Sequence, residues 1–344
     1  MTDGYVDRGA VVAHLRPVEL ARRQPPASIT AAALQHKRFK PVGWVVNDFI
    51  PDGLTILAGK PKLGKSWLVL DVANAVARGG FTMGDRKCVE GDVLYAALED
   101  NERRLKGRMA KVCALDGAWP DRLTFWTGMN RLEDGGLQEL RDWIASVPGP
   151  RLVIIDTFAK VRSTKGRDEG VYEADYRAAA PLKALADETG VAVVIVHHLR
   201  KQAADDDPLD AVSGSTGLTG AADTILVLNR GSEGVTLYGR GRDIEEIESA
   251  VQFERDVCRW RVLGEAKEVR TSTERQAILD ALKAAGVPMT PVELSDVTGH
   301  VRVSTRRLLF SMAKAGEVCR LGRGKYHLPD FTPPNIGNTR TREG

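Results

Sequence analysis

The chain has 344 residues, and its 49 Lys and Arg residues nearly balance its 46 Asp and Glu residues, for a formal net charge of +3. This length favours two domains over one, and the near balance argues against a protein coated uniformly with positive charge for nucleic acid. The four cysteines are far apart and form no Cys-x-x-Cys pair, which argues against a disulfide framework and against a zinc site.

No apolar run approaches the roughly 18 residues that a membrane span requires. The first residues, Met1-Thr2-Asp3-Gly4-Tyr5, lack the basic and then apolar pattern of a secretion signal. We therefore expect a soluble, cytoplasmic protein with no membrane partner.

Residues 1–40 give no firm structural prediction. They combine a few apolar residues with Pro25-Pro26 and a basic cluster around Phe39. We interpret this segment as an N-terminal arm.

Residues 41–265 alternate short β-rich runs with longer helical ones, which predicts an α/β domain with a doubly wound, mostly parallel sheet. The predicted strands are 54–58, 92–98, 123–126, 152–155, 191–196 and 224–228. The predicted helices are 67–77, 102–114, 136–146 and 172–189. Shorter alternating segments at 235–238, 250–253 and 259–262 predict an antiparallel extension of the same sheet.

A G-x-x-x-x-G-K-S phosphate loop lies between the first of these strands and the first helix. It consists of Gly59, Lys60, Pro61, Lys62, Leu63, Gly64, Lys65 and Ser66, and we assign these residues and Trp67, which follows them, to nucleotide binding. In this context the backbone N–H groups can surround the phosphates of a nucleoside triphosphate, Lys65 can reach the β- and γ-phosphates, and Ser66 can ligate Mg²⁺. The alternative is a Gly-rich turn with a solvated lysine.

Two acidic residues follow buried strands of the predicted sheet. Asp156 ends the strand 152–155, where a carboxylate can face the bound Mg²⁺, although a strand can also end in a helix-capping Asp. Glu99 ends the strand 92–98 and is the candidate general base that deprotonates the attacking water. The alternative for Glu99 is that it caps the next helix together with Asp100 and Asn101.

The pair His197-His198 ends the most apolar strand. Because successive strand residues point to opposite faces, one histidine is expected to face the nucleotide, and we favour His198 as a ligand of the γ-phosphate. A pair of structural histidines is the alternative.

Two loops are candidates for DNA contact, and a solvated loop is an equally good interpretation of either. The loop 199–218 has basic residues and a Ser/Thr/Gly segment, but its Asp205-Asp206-Asp207 run opposes binding to phosphates. The second loop carries Arg162, Lys165 and Arg167. Farther along, Arg240 and Arg242 lie on a turn of the antiparallel extension, where a basic pair is more often part of a solvated surface.

Together these motifs resemble the RecA-fold ATPases of the DnaB type and, more closely, the small hexameric helicases called RepA from plasmids, phages and other mobile elements. The resemblance covers residues 41–265 and depends on the phosphate loop, Glu99, Asp156, the double histidine and the Arg240/Arg242 pair. It implies a RecA-like P-loop NTPase core that hydrolyses ATP with Mg²⁺. It also implies that Glu99, Lys65 and His198 act in catalysis, with Arg240 and Arg242 reaching a neighbouring subunit's nucleotide, and that a homo-hexameric ring translocates on single-stranded DNA.

The C-terminal region has three predicted helices, at 273–285, from 290 and at 304–315, followed by two short strands within 318–328. This order resembles a winged helix-turn-helix, which we place at residues 274–330, between a linker at 266–273 and a disordered tail at 331–344. Its basic side chains outnumber its one acidic residue between His300 and Tyr326. The candidate DNA contacts are Arg306, Arg307, Arg320, Arg323 and Lys325. A protein-interaction domain with a solvated basic face is the alternative.

The sequence therefore favours an ATP-hydrolysing motor or helicase of DNA replication or recombination. Two other classes remain open. One is an ATP-switched DNA-binding regulator or loader that does not translocate, and the other is an interaction protein in which ATP stabilises assembly.

Overall fold

The structure, a computed structural model, describes residues 28–39, 41–162, 170–199, 212, 216–231 and 233–331. The chain divides into two compact units, residues Met1–Pro41 and Val42–Gly344. In the first unit, one short helix, α1 (Ala31–His36), begins after Thr30, whose side chain accepts a hydrogen bond from the Ala33 N–H at 3.1 Å. The second unit contains all the strands and the remaining helices described below.

The strands of the second unit are β1 (Trp44–Val46), β2 (Ile50–Pro51), β3 (Leu54–Gly59), β4 (Phe81–Thr82), β5 (Arg86–Lys87), β6 (Asp92–Ala97), β7 (Leu123–Trp126), β8 (Pro150–Asp156), β9 (Ala192–His198), β10 (Thr224–Gly231), β11 (Gly234–Gly241), β12 (Ile247–Glu254), β13 (Arg259–Glu265), β14 (Cys319–Leu321) and β15 (Lys325–His327). Its helices are α2 (Lys65–Arg78), α3 (Glu102–Val112), α4 (Gly136–Ser146), α5 (Val171–Thr189), α6 (Thr216–Ala221), α7 (Ala266–Ala285), α8 (Pro291–Thr298) and α9 (Arg302–Lys314).

In the described part of the chain, nine strands form the central sheet in the order β13-β12-β11-β10-β3-β9-β8-β6-β7. The strands from β10 to β7 are parallel, whereas β10 to β13 pair in antiparallel fashion. Every residue of β3 and β6 is buried, which explains why these strands read as continuous apolar runs rather than as alternating patterns. The predicted doubly wound α/β fold with an antiparallel extension is confirmed.

Helices cover both faces of this sheet and enclose two hydrophobic clusters. On one face, α2 and α3 pack with residues such as Leu68, Val72 and Met109. On the other face, α4, α5 and α6 contribute residues such as Leu140 and Leu182. The site described below lies where the parallel strands end, at the edge of the sheet from which α2 begins.

The antiparallel extension curls back over α2. Its edge strand β13 contacts α2, and the buried Trp260 of β13 belongs to the same cluster as Leu68 of α2. The backbone N–H of Val262 also donates to the carbonyl of Met83, beside β4, at 2.9 Å. In the sheet, β13 is four positions from β3, and the curl brings it against α2, the helix that follows β3.

Helix α7 begins directly after β13, so the segment 266–273, which was expected to be a linker, forms the first turns of a helix. Ala266 is buried, and Arg270 forms an ion pair with Glu233 at 2.5 Å. The segment reads as polar because most of its side chains lie on exposed turns of α7, and the sequence does not separate a solvated helix face from a linker.

After α7, two helices and a two-stranded hairpin enclose a third hydrophobic cluster. Its buried members are Ile278, Leu282, Leu294, Leu308, Leu309, Met312, Val318 and Tyr326. Thr290 and Glu293 form a capping box at the start of α8, and β14 pairs with β15. The predicted three helices and hairpin are therefore present, while the division into domains and the winged-helix assignment remain predictions.

Within the described ranges, no helix combines the length and the apolar character that a membrane span needs. The tail expected after residue 330 lies outside the described residues, apart from Phe331.

Candidate active site

The backbone conformation of the phosphate loop explains its glycine positions: it favours glycine at two places. Gly64 has a φ of 103°, a left-handed conformation that favours glycine, and α2 begins at the next residue. A Cβ atom at Gly59 would lie 2.6 Å from the carbonyl oxygen of Leu228 in β10, so close backbone approach requires this glycine as well. The loop therefore presents the free N–H groups at the start of a 14-residue helix, which is an arrangement that binds anions.

Lys65 is buried, and its Nζ donates hydrogen bonds to the carbonyl oxygens of Gly59 at 2.7 Å and Lys60 at 3.0 Å. Burial lowers the pKa of Lys65 to about 8, although Asp156 and Glu99 oppose this shift through their negative charges. Other residues of the loop are more accessible: Lys60, Pro61 and Lys62 are exposed, and Ser66 is partly buried.

Three candidate side chains lie where the neighbouring parallel strands end. His198 ends β9 and is paired in register with Gly59, while Asp156 ends β8 and Glu99 follows β6. The strands β3, β9, β8 and β6 are adjacent in this order and parallel. These residues therefore lie side by side with the phosphate loop at the carboxyl ends of the strands, which we call the site edge of the sheet.

Asp156 is buried, and a tyrosine holds one of its oxygens. The hydroxyl of Tyr95 in β6 donates to Oδ2 of Asp156 at 2.9 Å, and Tyr95 is itself fully buried. Burial raises the pKa of Tyr95 well above its usual value, and the nearby Asp156 carboxylate acts in the same direction. This contact was missed in the sequence, where Tyr95 reads only as one residue of an apolar strand.

Glu99 is half exposed, and its Oε2 lies 4.0 Å from Nε2 of His198. Neighbouring residues perform the capping role that was its alternative. Asn101 is the N-cap of α3 and accepts a hydrogen bond from the Arg104 N–H at 3.0 Å, while Asp100 forms ion pairs with Arg104 and Arg108. The Glu99 carboxylate therefore lies beside His198 and does not cap α3.

The two histidines face different surroundings. Burial lowers the pKa of His198, the charge of Lys65 acts in the same direction, and Glu99 and Asp156 oppose it. Burial lowers the pKa of His197 to about 4, with Asp175 opposing and Arg162 reinforcing the shift. His198 thus belongs to the phosphate-loop side, as the sequence favoured, and both rings are expected to be neutral at pH 7.

The loop candidates for DNA contact are mostly outside the described residues. Arg162 pairs with the buried Asp175 at 3.1 Å, which is a structural role. Lys165, Arg167 and Asp205-Asp206-Asp207 lie outside the described ranges.

Arg240 and Arg242 do not lie at the strand ends that carry the phosphate loop of their own chain. Arg240 pairs in register with Ile225, and Thr224 is level with Thr55 near the start of β3, whereas Gly59 ends that strand. Arg240 forms an ion pair with Glu246 at 2.6 Å, and Arg242 lies 3.7 Å from Asp223. Within one chain, Arg240 is therefore level with Ile56 in the middle of β3, and Arg242 lies beside the start of β10, whereas the other site residues lie where the parallel strands end.

A tryptophan of β13 contacts the loop and was missed in the sequence. The Nε1–H of Trp260 donates to the carbonyl oxygen of Gly64 at 3.1 Å, and its ring would be 3.0 Å from a Cβ at Gly64. The side chain of Trp67, which was assigned to nucleotide binding, packs against Phe253 and under the Arg108 guanidinium.

The basic residues of the C-terminal region are accessible where they are described. Arg306 and Arg307 of α9, Arg320 of β14 and Lys325 of β15 are exposed. The Arg323 side chain lies outside the described set. Glu317, the acidic residue within this basic sequence, lies 3.5 Å from Arg275 of α7.

A protein-family profile described as an AAA domain matches residues 19–204, which is more than half of the chain. The chain belongs to this AAA-domain family. The family and the phosphate-loop geometry together support nucleotide binding and ATPase activity in this AAA-domain protein.

Solved structures show the same fold at low sequence identity. One of them, a solved ATPase domain, has a TM-score of 0.50 and 17% identity over 62% of this chain and 85% of its own. A DnaB-like replicative helicase, solved for its interactions with primase, has a TM-score of 0.50 and 17% identity over 64% of this chain and 62% of its own. The RecA-like fold predicted from the motifs is confirmed for this AAA-domain protein.

A curated relative is the DNA repair protein RadA of Halalkalibacterium halodurans, which is 26% identical over 209 residues. The match covers 59% of this chain, and the chain spans 39% of the length of RadA.

The oxygen-bearing side chains near the phosphate loop of the AAA-domain protein are suited to a Mg²⁺ ion that is also bound by a nucleotide. In the described part of the chain, no group of three or more His, Cys, Asp and Glu residues could hold a metal ion. Mg²⁺ prefers one or two protein oxygens together with phosphate oxygens and water, and the Ser66 hydroxyl and Asp156 carboxylate are donors of this type.

Proposed function

We propose that this AAA-domain protein is an ATP-hydrolysing, DNA-associated motor or helicase of the RepA-like type that acts in DNA replication or recombination. The observation that carries the proposal is the placement of Lys65, His198, Asp156 and Glu99 along one sheet edge beside the phosphate loop. The names of the DnaB-like helicase and of RadA support a role in DNA metabolism.

In the proposed site, the loop 59–66 and Trp67 hold the nucleotide, and Lys65 exchanges its bonds to two loop carbonyls for bonds to phosphate. Ser66 and Asp156 hold Mg²⁺, which neutralises phosphate charge when it is bound. The Oε atoms of Glu99 accept the proton of the attacking water, and this base is accessible because the side chain is half exposed.

His198 is suited to contact the γ-phosphate as a neutral hydrogen-bonding group. Its Nδ1 is buried and has no hydrogen-bond partner among the described residues, while its Nε2 faces Glu99. The His198 side chain is 37% exposed, so a bound phosphate can reach the ring.

The position of two arginines supports the proposal that the protein assembles. Arg240 and Arg242 do not lie at the strand ends that carry their own phosphate loop, which favours a role in phosphate chemistry at a neighbouring subunit. We therefore propose a homo-oligomeric ring, by analogy a hexamer, that encloses single-stranded DNA. Residues 274–330 are proposed to form a winged helix-turn-helix that binds duplex DNA, after an ATPase domain at 41–265.

The test is steady-state ATPase activity without DNA, with single-stranded DNA and with duplex DNA, for wild type and Glu99→Gln. Single strands are expected to stimulate the wild type, and Glu99→Gln is expected to lose roughly 100-fold or more in kcat, because general base catalysis contributes about that much. Glu102→Gln, which alters an exposed acidic residue in the first turn of α3, is the matched control and should retain wild-type activity.

Each outcome separates the candidate functions. Stimulation by single strands together with strand displacement supports the motor. ATP-dependent binding to duplex without unwinding would favour the switched regulator, and assembly that is independent of DNA would favour the interaction protein. Activity that survives Glu99→Gln would contradict the assigned base.

A further inference from the structure

Two neighbouring residues of β13 contact the phosphate loop and the helix α2 that follows it. Trp260 donates its indole N–H to the carbonyl oxygen of Gly64 at 3.1 Å, and Arg259 forms an ion pair with Asp71 of α2 at 3.1 Å. These contacts are made by residues nearly 200 positions away from the loop, on the strand at the far edge of the antiparallel extension.

The contact of Trp260 with the loop does not compete with a bound phosphate. Carbonyl groups at a helix start point along the helix, away from the free N–H groups that bind anions. The Gly64 carbonyl oxygen also accepts the backbone N–H groups of Trp67 and Leu68, each at 3.1 Å. The indole therefore joins the hydrogen bonds of the first helical turn from the side opposite to the ligand.

The Trp260 ring also packs directly on the loop backbone. A Cβ at Gly64 would lie only 3.0 Å from the ring, and Trp260 is almost completely buried. Phe253 lies 5.3 Å from the Trp260 ring and 6.4 Å from the ring of Trp67, which directly follows the loop. This aromatic cluster packs around the loop end of α2.

The hydrogen bonds inside the loop are different in kind. Lys65 bonds to the carbonyls of Gly59 and Lys60, and it must release them to bind phosphate. The neutral indole keeps its bond in both situations, so it can hold the loop backbone while the lysine changes partners.

We propose that Trp260 is a positioning residue for the phosphate loop, whose indole N–H and ring hold Gly64 and the first N–H groups of α2 in the conformation that binds nucleotide phosphates. The inference rests on the proposed function, because it assumes that the loop binds a nucleoside triphosphate. It adds a residue from the antiparallel extension to the determinants of nucleotide affinity.

The test is Trp260→Phe, which keeps an aromatic ring and removes the N–H donor. Loss of one such hydrogen bond is expected to weaken Mg·ATP binding about three- to tenfold and to raise KM by the same factor, while kcat stays within about twofold. Inorganic tripolyphosphate with Mg²⁺ is the second probe, and it should lose affinity by the same factor because the loop contacts only the phosphates. Trp143→Phe is the control, since Trp143 is buried on α4 in the other hydrophobic cluster and should leave both affinities unchanged.

The outcomes are distinguishable. Wild-type affinity in Trp260→Phe for both probes, or a loss for ATP alone, would overturn the positioning role. If Trp260→Phe does not fold, Phe253→Leu tests the same support and should weaken both probes about two- to fivefold, and unchanged affinity would overturn the proposal. A wild type that binds neither probe would instead contradict the proposed function itself.

Discussion

At the scale of single residues, Lys65 is held between opposing effects. Burial lowers its pKa to about 8, while the negative charges of Asp156 and Glu99 oppose the shift. The folded protein therefore binds fewer protons than the unfolded chain between about pH 8 and the usual lysine pKa of 10.5, so stability rises with pH in that window. The free protein is thus less stable with the charged lysine that phosphate binding requires.

The same shift gives a pH dependence of nucleotide binding. Below about pH 8 Lys65 carries its charge, and above it the amine must take up a proton before it can bind phosphate. We expect the affinity for Mg·ATP to fall as pH rises through about 8, approaching tenfold for each further pH unit. Calorimetric titration across this range measures the effect.

Lys65→Arg is the matched variant for this prediction, because a guanidinium keeps its charge throughout the range. Its affinity is expected to be lower overall and independent of pH. A wild-type affinity that stays constant well above pH 8 would show that the lysine does not lose its charge there.

At the scale of elements, the contact of β13 with α2 depends on a buried ion pair as well as on Trp260. Asp71 is 1% exposed in its side chain and pairs with Arg259, which also bonds to Asp116. Burial raises the pKa of Asp71, whereas the hydroxyl of Thr82 and the charge of Arg259 oppose this shift. Arg259 therefore stabilises the charged form of the buried Asp71 carboxylate in the middle of α2.

We expect Arg259→Met to destabilise the protein by about 2–4 kcal/mol, because it leaves a buried carboxylate without its positively charged partner. The pKa of Asp71 should rise further in this variant. The folded state then binds more protons than the unfolded state, and the loss of stability should be smaller at pH 5 than at pH 8. Chemical denaturation at the two pH values measures both effects.

Arg261→Met is the control for this substitution. Arg261 is in the same strand, is 55% exposed and pairs with Glu254, so its loss should change stability by about 0.5 kcal/mol or less. The ion-pair explanation would be refuted if the two substitutions lowered the free energy of unfolding equally. It would also be refuted if the loss of stability in Arg259→Met were the same at pH 5 and pH 8.

The sequence predicted the elements of the sheet well, for reasons that are local. The predicted strand 123–126 and helix 136–146 have the bounds that the structure shows, and β3 differs by one residue. Apolar runs and helical periodicity act over a few residues, and they are visible without tertiary information. The two-residue strands β2, β4 and β5 were missed because such short segments carry no periodic signal.

The site was predictable only in part. A strand that ends in an acidic residue or a histidine can be recognised in the sequence. The parallel topology then brings Glu99, Asp156 and His198 together at the carboxyl ends of the strands. The contacts of Tyr95 with Asp156 and of Trp260 with Gly64 join residues that are 61 and 196 positions apart. The second depends on the curl of the extension, which no motif encodes.

At the scale of the whole molecule, positive charge is concentrated in the C-terminal region although the net charge is only +3. Arg306 and Arg307 lie exposed on α9, and Arg320 and Lys325 are exposed on the hairpin. Glu317 lies 3.5 Å from Arg275 of α7, so its charge is directed to another basic residue. The exposed basic residues are therefore available for an anionic partner such as the phosphates of DNA.

The salt dependence of binding distinguishes contacts with DNA phosphates from a merely basic surface. Each phosphate contact releases counterions, so we expect Arg306→Ala to weaken binding to duplex DNA of any sequence and to reduce the slope of log K against log salt by about 1. Fluorescence anisotropy titrations of the full chain at several NaCl concentrations measure the slope. Arg270→Ala removes the same charge from the start of α7, where Arg270 pairs with Glu233, and should leave the slope unchanged. If both variants keep the wild-type slope, α9 does not contact DNA phosphates, and its basic face is then better explained as a surface for an acidic protein.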